Sequence, residues 1–204
     1  MSNQPDPSIN SSVFRLNTHL VILQMVAKSA KDVVERLSNV LFAQGYVKSS
    51  YLRAAVERER TCPTGLPTPG LGTAIPHGGP EHTIKPGIAV ATLAQPVEFG
   101  VLGDPKKRLK VSVVFMLSVT QPDDQIYLLK SIVSVYKDEA ALRKLHAASS
   151  PQDLVQQINE ALSLELLDIP EGLGWQGDWP GILRPRLKWN VELMKSESVA
   201  FTKN

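Results

Sequence analysis

One histidine in this 204-residue sequence stands where a short apolar run breaks into glycine. The run is TAIPHGG, residues 73–79, and it places His77 directly after Ile75 and Pro76. A histidine in such a place can bond a neighbouring carbonyl and serve the fold alone, bind a metal ion, or act as a nucleophile. Each interpretation makes different demands on the surrounding residues.

A metal site requires converging ligands, and few are close to this histidine. The stretch HGGPEH offers His77, Glu81 and His82, but glycines and a proline separate them. Zinc proteases instead place two histidines at i and i+4 of a helix. A single cysteine, Cys62, provides no cysteine-rich cluster. We therefore expect no metal ion and no other cofactor.

A phosphoryl-accepting histidine needs an exposed ring and groups that stabilise an incoming anion. An unperturbed imidazole, with a pKa of about 6.5, is largely neutral and attacks phosphorus without a separate base. Gly78 and Gly79 let a partner approach and can turn backbone N–H groups toward an anion. Arg58 and Arg60 upstream are candidates to bind the phosphoryl group, although such charges are also typical of a solvated helix end. On these residues alone, the structural and nucleophilic interpretations both stand.

The elements that must position these residues begin with a strand and two helices. NTHLVILQM predicts the strand, and KSAKDVVERLSNVLFAQG predicts a helix that stops at Gly45. SSYLRAAVERER predicts a second helix that its serines can cap. Residues 61–72 contain three prolines and three glycines and are expected to form a loop.

Further strands precede a run of helices. TAIP predicts a short strand, and PVEFG predicts a short edge strand. GIAVATLA and LKVSVVFMLSV predict two further strands, and the second of these is apolar enough to be buried on both faces. QPDDQIYLLKSIVSVY, DEAALRKLHAAS and SPQDLVQQINEALSLELL predict helices, with Ser150 and Asp153 as a capping box in the last. This order predicts an α/β fold, a three-layer α/β/α sandwich with a mixed central sheet.

Composition and charge narrow the classes of partner. Lys plus Arg is 22 and Asp plus Glu is 20, and a net charge of +2 is too balanced to indicate nucleic acid. HLVILQMVA is far too short to insert in a membrane, and MSNQPDPSINSS lacks the order of a secretory signal. With one cysteine, a reducing cytoplasm is the expected location.

The chain divides into three expected segments. Residues 1–12 are polar and predicted to be flexible, and residues 13–165 contain the α/β domain. Residues 166–204 form a C-terminal extension that contains all three tryptophans among glycines and prolines. The extension is expected either to bind a partner or a second copy, or to cover an exposed face of the same domain.

The segment RERTCPTGLPTPGLGTAIPHG, residues 58–78, carries a family resemblance. It resembles the active-site segment of the type-2 enzyme IIA components of the bacterial phosphotransferase system, the fructose, mannitol and galactitol superfamily. The shared pattern is an Arg-Glu pair, a glycine-rich loop and Ala-Ile/Val-Pro-His. The pattern Arg-Glu-x-x-x-Pro-Thr-Gly, which leads into the glycine-rich loop, looks most like the galactitol-type branch. The likeness continues through PVEFG, VSVVFMLSV, QIYLLKSIVSVY, LRKL and SPQDLVQQI, roughly residues 15–165.

The resemblance implies a phosphocarrier without a metal. It implies that His77 takes a phosphoryl group from the histidine-containing phosphocarrier protein and passes it to a cysteine of a IIB component. A membrane IIC component would import the sugar, and Arg58 would stabilise the phosphate. Thr64 and Thr73 are candidates to hydrogen-bond near the site, or are ordinary turn and strand residues.

One position departs from many fructose and mannitol relatives, which carry a second histidine in a His-Leu pair. The matching pair here is Gln125-Ile126, and galactitol-type proteins also tend to have glutamine there. The Gln125 amide could donate a hydrogen bond to a phosphoryl oxygen or to the ring of His77, but it cannot carry a proton charge. The departure favours the galactitol-type branch.

Two other functions remain open from the sequence. A regulatory protein of the same family would be phosphorylated but would bind a target instead of feeding a transporter, and the C-terminal extension favours that function. A metal-dependent hydrolase would require stoichiometric zinc, which is not expected.

Overall fold

The computed structural model describes residues 16–120 and 138–167. The chain divides into two units between Leu162 and Ser163, and the sheet belongs to the first. Residues 1–12, the helix predicted over 121–136 and the extension from residue 168 lie outside the described residues. No helix in the described part of the chain is long and apolar enough to cross a membrane.

A mixed sheet of five strands runs through the described residues. The strands are β1 (Val21–Met25), β2 (Gly65–Leu66), β3 (Gly72–Ala74), β4 (Gly87–Val101) and β5 (Asp104–Ser118). β4 and β5 form a long antiparallel hairpin, with β1 parallel to β4 and β3 parallel to β5. β2 pairs antiparallel with β3 and parallel with β4.

Four α-helices accompany this sheet in the described ranges. They are α1 (Ala30–Ala43), α2 (Tyr51–Thr61), α3 (Glu139–His146) and α4 (Pro151–Leu167), and short 3-10 turns cover Thr18–Leu20 and Pro80–His82. The side chain of Ser29 caps α1 by accepting a hydrogen bond from the N–H of Asp32 at 3.2 Å. As predicted, the helix gives way at Gly45, whose φ of 69° is one that glycine adopts without strain.

The central hairpin is buried on both faces, as its continuous apolar character predicts. Successive strand residues point to opposite faces. One alternate set packs with α1 in a single core: Ala89, Ala91, Val114 and Met116. The residues between them are equally buried, as are apolar residues of α3 and α4: Val90, Val113, Phe115, Leu142, Leu145, Leu154 and Ile158. Helices therefore cover both faces, and the three-layer α/β/α sandwich is confirmed.

The strand boundaries differ in part from those predicted. PVEFG is not a separate edge strand, because it continues β4 after a register shift between Thr92 and Val97. Pro96 has no N–H to donate there, so the pairing is interrupted and the strand then resumes. The expected loop 61–72 contains β2, and the strand predicted over TAIP ends at Ala74. The first strand begins only at Val21, after a 3-10 turn.

The two predicted helix caps have different outcomes. At α4 the Oγ of Ser150 accepts from the N–H of Asp153 at 3.1 Å, which confirms that half of the capping box. The carboxylate of Asp153 accepts from the N–H of Ser149 rather than from Ser150. At α2 the expected serine cap is wrong, because Ser50 has helical backbone angles and makes no capping bond. Its hydroxyl lies 2.9 Å from Nδ1 of His82 instead.

Candidate functional site

His77 lies in the loop that follows β3, beside the end of β5. Its backbone forms an isolated parallel bridge with Leu117, and the N–H of Leu117 donates to the carbonyl of Pro76 at 3.0 Å. These contacts tie the loop to the end of the central hairpin. The position of the histidine is therefore set by the most deeply buried strands of the fold.

Two hydrogen bonds fix the imidazole ring and its tautomer. Nδ1 lies 3.0 Å from the carbonyl oxygen of Ile75, and Nε of Arg58 donates to Nε2 at 2.9 Å. A carbonyl oxygen can only accept and a guanidinium can only donate, so the ring proton is on Nδ1. Nε2 carries the lone pair and is the nucleophilic atom of the neutral ring.

The ring of His77 is buried, which corrects the expectation of an exposed imidazole. Only 7% of the residue is accessible. Burial, and then the charge of Arg58, lowers the pKa of His77 to about 4, against the bond to Ile75 that raises it. Arg58 covers Nε2 of His77, so its guanidinium must turn away before this nitrogen can bond to phosphorus.

Of the two candidate arginines, the structure brings only Arg58 to the ring. Both lie in the last turn of α2, where cations complement the negative end of the helix dipole. Arg60 points elsewhere, and its Nε and Nη2 bind the carboxylate of exposed Glu57 at 3.0 and 2.6 Å. The guanidinium of Arg58 carries five donors, so it can bond to Nε2 or clamp a phosphoryl group through two oxygens.

The loop that contains His77, residues 75–79, is called the histidine loop. Tyr51 packs against this loop, and this packing requires a glycine at position 78. A Cβ at Gly78 would lie 2.7 Å from a ring carbon of that tyrosine. Tyr51 is fully buried, its hydroxyl donates to the carbonyl of Leu117, and it accepts a hydrogen bond from the Gly78 backbone. Burial raises the pKa of Tyr51, which stays protonated. The buried ring of Tyr51 therefore leaves no room for a side chain at position 78, and the orientation of the Gly78 N–H toward an anion stays a prediction.

The other supporting residues lie at the site's margin or outside it. Gly79 is extended, and its carbonyl accepts from the N–H of His82 at 3.1 Å as the 3-10 turn begins. Thr73 is fully buried in β3, and its hydroxyl has no hydrogen-bond partner in the described residues. Thr73 is thus a core strand residue, four positions before His77. Gln125 lies outside the described residues, so its role stays a prediction.

Beneath the ring lies a chain of hydrogen bonds that includes one residue absent from the predicted site, Glu59. Its carboxylate accepts from the N–H of Thr64 at 3.1 Å and from the hydroxyl of Thr64 at 2.7 Å. That hydroxyl and the Thr64 carbonyl accept from the N–H of Ile75 at 3.2 and 3.3 Å. The Ile75 carbonyl is the partner of Nδ1 of His77. Thr64, one of two threonine candidates, is the one that joins the site.

A sequence signal for Glu59 does exist. It is a carboxylate in the last turn of a helix, next to the negative end of the dipole, where an exposed acidic residue is unfavourable. Burial raises its pKa to about 7, while the bonds from Thr64 and the charge of Arg58 oppose the rise. Such a placement indicates a specific partner, and that partner is Thr64.

The histidine stretch does not assemble a metal site. No group of three or more His, Cys, Asp or Glu residues in residues 16–120 and 138–167 could hold a metal ion. Nε2 of His82 lies 3.2 Å from Glu81, and Nδ1 faces Ser50, so both of its ring nitrogens are engaged. The arrangement at His77 is suited instead to accepting an electrophile at Nε2 beside a cation.

Comparison with known proteins gives a consistent family match. The family model described as "Phosphoenolpyruvate-dependent sugar phosphotransferase system, EIIA 2" matches residues 15–161. The ascorbate-specific PTS system EIIA component of Shigella boydii is 32% identical, over 68% of this chain and 90% of that protein.

Two longer proteins share only a part with this chain. The transcriptional regulator ManR of Bacillus subtilis is 39% identical over 51% of this chain, which corresponds to 14% of ManR. The mannitol-specific EIICBA component of Escherichia coli is 23% identical over 72% of this chain and 22% of that protein. The chain therefore spans less than a quarter of either relative.

Solved structures share the fold. In the complex of enzyme IIAMTL and phosphorylated enzyme IIBMTL from Escherichia coli, the matched chain superposes with a TM-score of 0.62. The match has 21% identity and covers 72% of this chain and 99% of the other. At that identity the likeness concerns the fold, and the chemistry depends on the residues described above.

Proposed function

Because this chain belongs to the EIIA type-2 family of the phosphoenolpyruvate-dependent sugar phosphotransferase system, we propose that it carries a phosphoryl group on Nε2 of His77. The observation that supports this most directly is the fixed tautomer. The Nδ1 proton is held by the Ile75 carbonyl, and the Nε2 lone pair lies beside the guanidinium of Arg58. The pKa of about 4 keeps that lone pair available at neutral pH.

The transfer step follows from these atoms. The Nε2 lone pair forms a bond to phosphorus while the bond between phosphorus and the donor's histidine nitrogen breaks, and the electron pair returns to the donor. The Nδ1 proton stays on the ring, and its bond to Ile75 stabilises the positive charge that the ring gains. Arg58 turns from Nε2 to the phosphoryl oxygens, so catalysis is mostly positioning and electrostatics.

The proposed partners are proteins at both ends of the transfer. The donor is the histidine-containing phosphocarrier protein, and the acceptor is a cysteine of a IIB component that serves a membrane IIC component, all acting at the cytoplasmic side. The mannitol IIA structure solved together with a phosphorylated IIB supports a IIB component as partner, and the donor stays a prediction. The galactitol-type branch stays a prediction that depends on Gln125, since the relatives named above act on mannitol and ascorbate.

A regulatory function is the second candidate, and the similarity to ManR favours it. That regulator shares 39% identity with half of this chain. In this alternative, phosphorylation of His77 would change the binding of a target protein, and no IIB component would receive the group.

Phosphoryl transfer with purified proteins tests the proposal. Incubation with phosphoenolpyruvate and the general phosphotransferase proteins should place one acid-labile, base-stable phosphate on each chain. His77→Ala should take up none, whereas His82→Ala, a matched change of a histidine in the same loop, should be labelled normally. Label retained by His77→Ala contradicts the proposed acceptor. Passage of the label to a IIB component separates transport from regulation.

A further inference from the structure

Two consecutive residues of α2 act on opposite sides of the same imidazole ring. Arg58 contacts Nε2 directly, and Glu59 connects through Thr64 and Ile75 to Nδ1. We propose that Glu59 is a positioning residue for His77, because it holds, through the Thr64 hydroxyl, the Ile75 backbone whose carbonyl orients the reactive ring. The proposal rests on the proposed function of His77 as phosphoryl acceptor.

Each hydrogen bond between Glu59, Thr64, Ile75 and His77 has a fixed direction. In its ionised form, the carboxylate of Glu59 can only accept, so it receives both the N–H and the hydroxyl proton of Thr64. The hydroxyl oxygen, having donated its proton, is left to accept from the N–H of Ile75. Ile75 is thus held at its N–H by Thr64, while its carbonyl holds the ring of His77. Reversal of any one bond would leave a buried donor without an acceptor.

A buried carboxylate at position 59 is energetically unfavourable unless it makes specific hydrogen bonds. Glu59 is 8% exposed, at the negative end of a helix dipole, and burying a charge is unfavourable unless hydrogen bonds compensate for lost water. Glu57, two residues earlier, is exposed and pairs with Arg60 at the surface. An apolar side chain could pack at position 59 without desolvating a charge. The two carboxylate oxygens of Glu59 accept from the N–H and from the hydroxyl of Thr64, which an apolar side chain could not do.

The link matters most during transfer. While Arg58 bonds to Nε2, the ring is held from both sides. Once Arg58 turns to the phosphoryl oxygens, the bond between Nδ1 and the Ile75 carbonyl still orients the ring. Loss of the Glu59 link should therefore slow transfer more than it disturbs the resting structure.

Four variants of the full chain test this link: Glu59→Gln, Thr64→Val, Thr64→Ser and the matched surface control Glu57→Gln. The glutamine keeps the shape of Glu59 but places an NH₂ donor against the Thr64 hydroxyl. The valine removes the hydroxyl, and the serine restores it. The readouts are phosphoryl uptake and the Nδ1–H signal of ¹⁵N-labelled His77, identified as the signal missing from His77→Ala.

We expect the Nδ1–H signal to be sharp in the wild type, Thr64→Ser and Glu57→Gln. In Glu59→Gln and Thr64→Val it should shift and exchange faster with water, and uptake should fall by roughly tenfold or more. Wild-type signal and uptake in both variants would overturn the proposal, and so would equal losses in the valine and serine variants.

Two further outcomes are also decisive. If Glu59→Gln does not fold, the valine and serine pair at Thr64 decides, because loss with valine and recovery with serine supports the link and no loss overturns it. A wild-type protein that takes up no phosphate overturns the phosphocarrier function alone. The Nδ1–H signal still tests the positioning in that case, since it requires no transfer.

Discussion

The lowered pKa of His77 separates this residue from an ordinary histidine. Burial and Arg58 bring the pKa to about 4, so the ring stays neutral, with its lone pair on Nε2, throughout the neutral range. An ¹⁵N titration of the histidines should show His77 uncharged down to about pH 5. A midpoint near pH 6.5, the value of a free imidazole, would contradict the buried environment described here.

The geometry of the guanidinium gives a second prediction at the scale of one residue. Lysine would keep the charge at position 58 but lose the planar fork that can bind two phosphoryl oxygens. Arg58→Lys should fold normally and take up phosphate more slowly, by on the order of a hundredfold, which stopped-flow transfer measures. Arg60→Lys is the control and should transfer at the wild-type rate, because Arg60 pairs with Glu57. Equal rates in both variants would remove Arg58 from the site.

At this scale the sequence predicts which residues meet better than it predicts their environment. His77 and Arg58 follow from a motif, and their contact at 2.9 Å agrees with it. The burial of the ring and the role of Glu59 do not follow from it. Both depend on how the end of α2 packs against the loop after β3, and residue types along the chain do not specify that packing.

Among the elements, the junction of α2 with the histidine loop contains two groups with opposite pH dependence. His77 has a pKa of about 4 when folded against 6.5, so the unfolded chain binds more protons and stability rises with pH between these values. Glu59 has a pKa of about 7 against 4.5, so its contribution to stability falls over that range. Each amounts to about 3 kcal/mol at most, and in the wild type they largely cancel.

Two variants should separate these contributions. In Glu59→Gln only the contribution of His77 remains, so the free energy of unfolding should rise between pH 4.5 and 6.5 more steeply than in the wild type. In His77→Ala only the contribution of Glu59 remains, so the free energy of unfolding should fall over the same range relative to the wild type. Urea titrations at several pH values measure this. Arg58 is a charged group that lowers the pKa of both residues. Parallel pH profiles in all three proteins would show that neither group titrates as described.

The packing of the histidine loop on α2 gives a further prediction. Gly78→Ala would place a Cβ 2.7 Å from the buried ring of Tyr51, and should lower the free energy of unfolding by about 1–3 kcal/mol. The Cβ of Gly79→Ala would lie nearest to the carboxylate of exposed Glu81, the end of a flexible side chain, and the substitution should change stability by less than about 0.5 kcal/mol. Thermal unfolding followed by circular dichroism compares them. Equal losses would mean that Tyr51 does not restrict this loop.

The order of most helices and strands could be predicted from the sequence, but the pairing between the strands could not. Periodicity located α1, α2 and the two long strands, because burial on one or both faces leaves a pattern in the residues. PVEFG was mistaken for a separate strand, since a register shift between Thr92 and Val97 is a property of the pairing with β5. The two-residue β2 is likewise defined by its partner strands.

In the unit that contains the sheet, the hairpin of β4 and β5 lies between two buried faces and positions the candidate site. Met116 packs in the core with α1, and its neighbour Phe115 is buried on the opposite face. One residue further, Leu117 pairs with the backbone of His77. The three-layer fold is predictable because both faces of this hairpin are apolar, whereas the attachment of the site to its end is a three-dimensional property.

Truncation of either face should therefore destabilise the domain and the site together. Met116→Ala and Phe115→Ala should each lower the free energy of unfolding by about 2–5 kcal/mol. Phosphoryl uptake should persist at temperatures below the unfolding transition of each variant and be lost when the domain unfolds. Far-ultraviolet circular dichroism is the appropriate measure, because all three tryptophans lie beyond residue 167. Uptake that survives loss of the sheet signal would mean that the histidine loop does not depend on the hairpin.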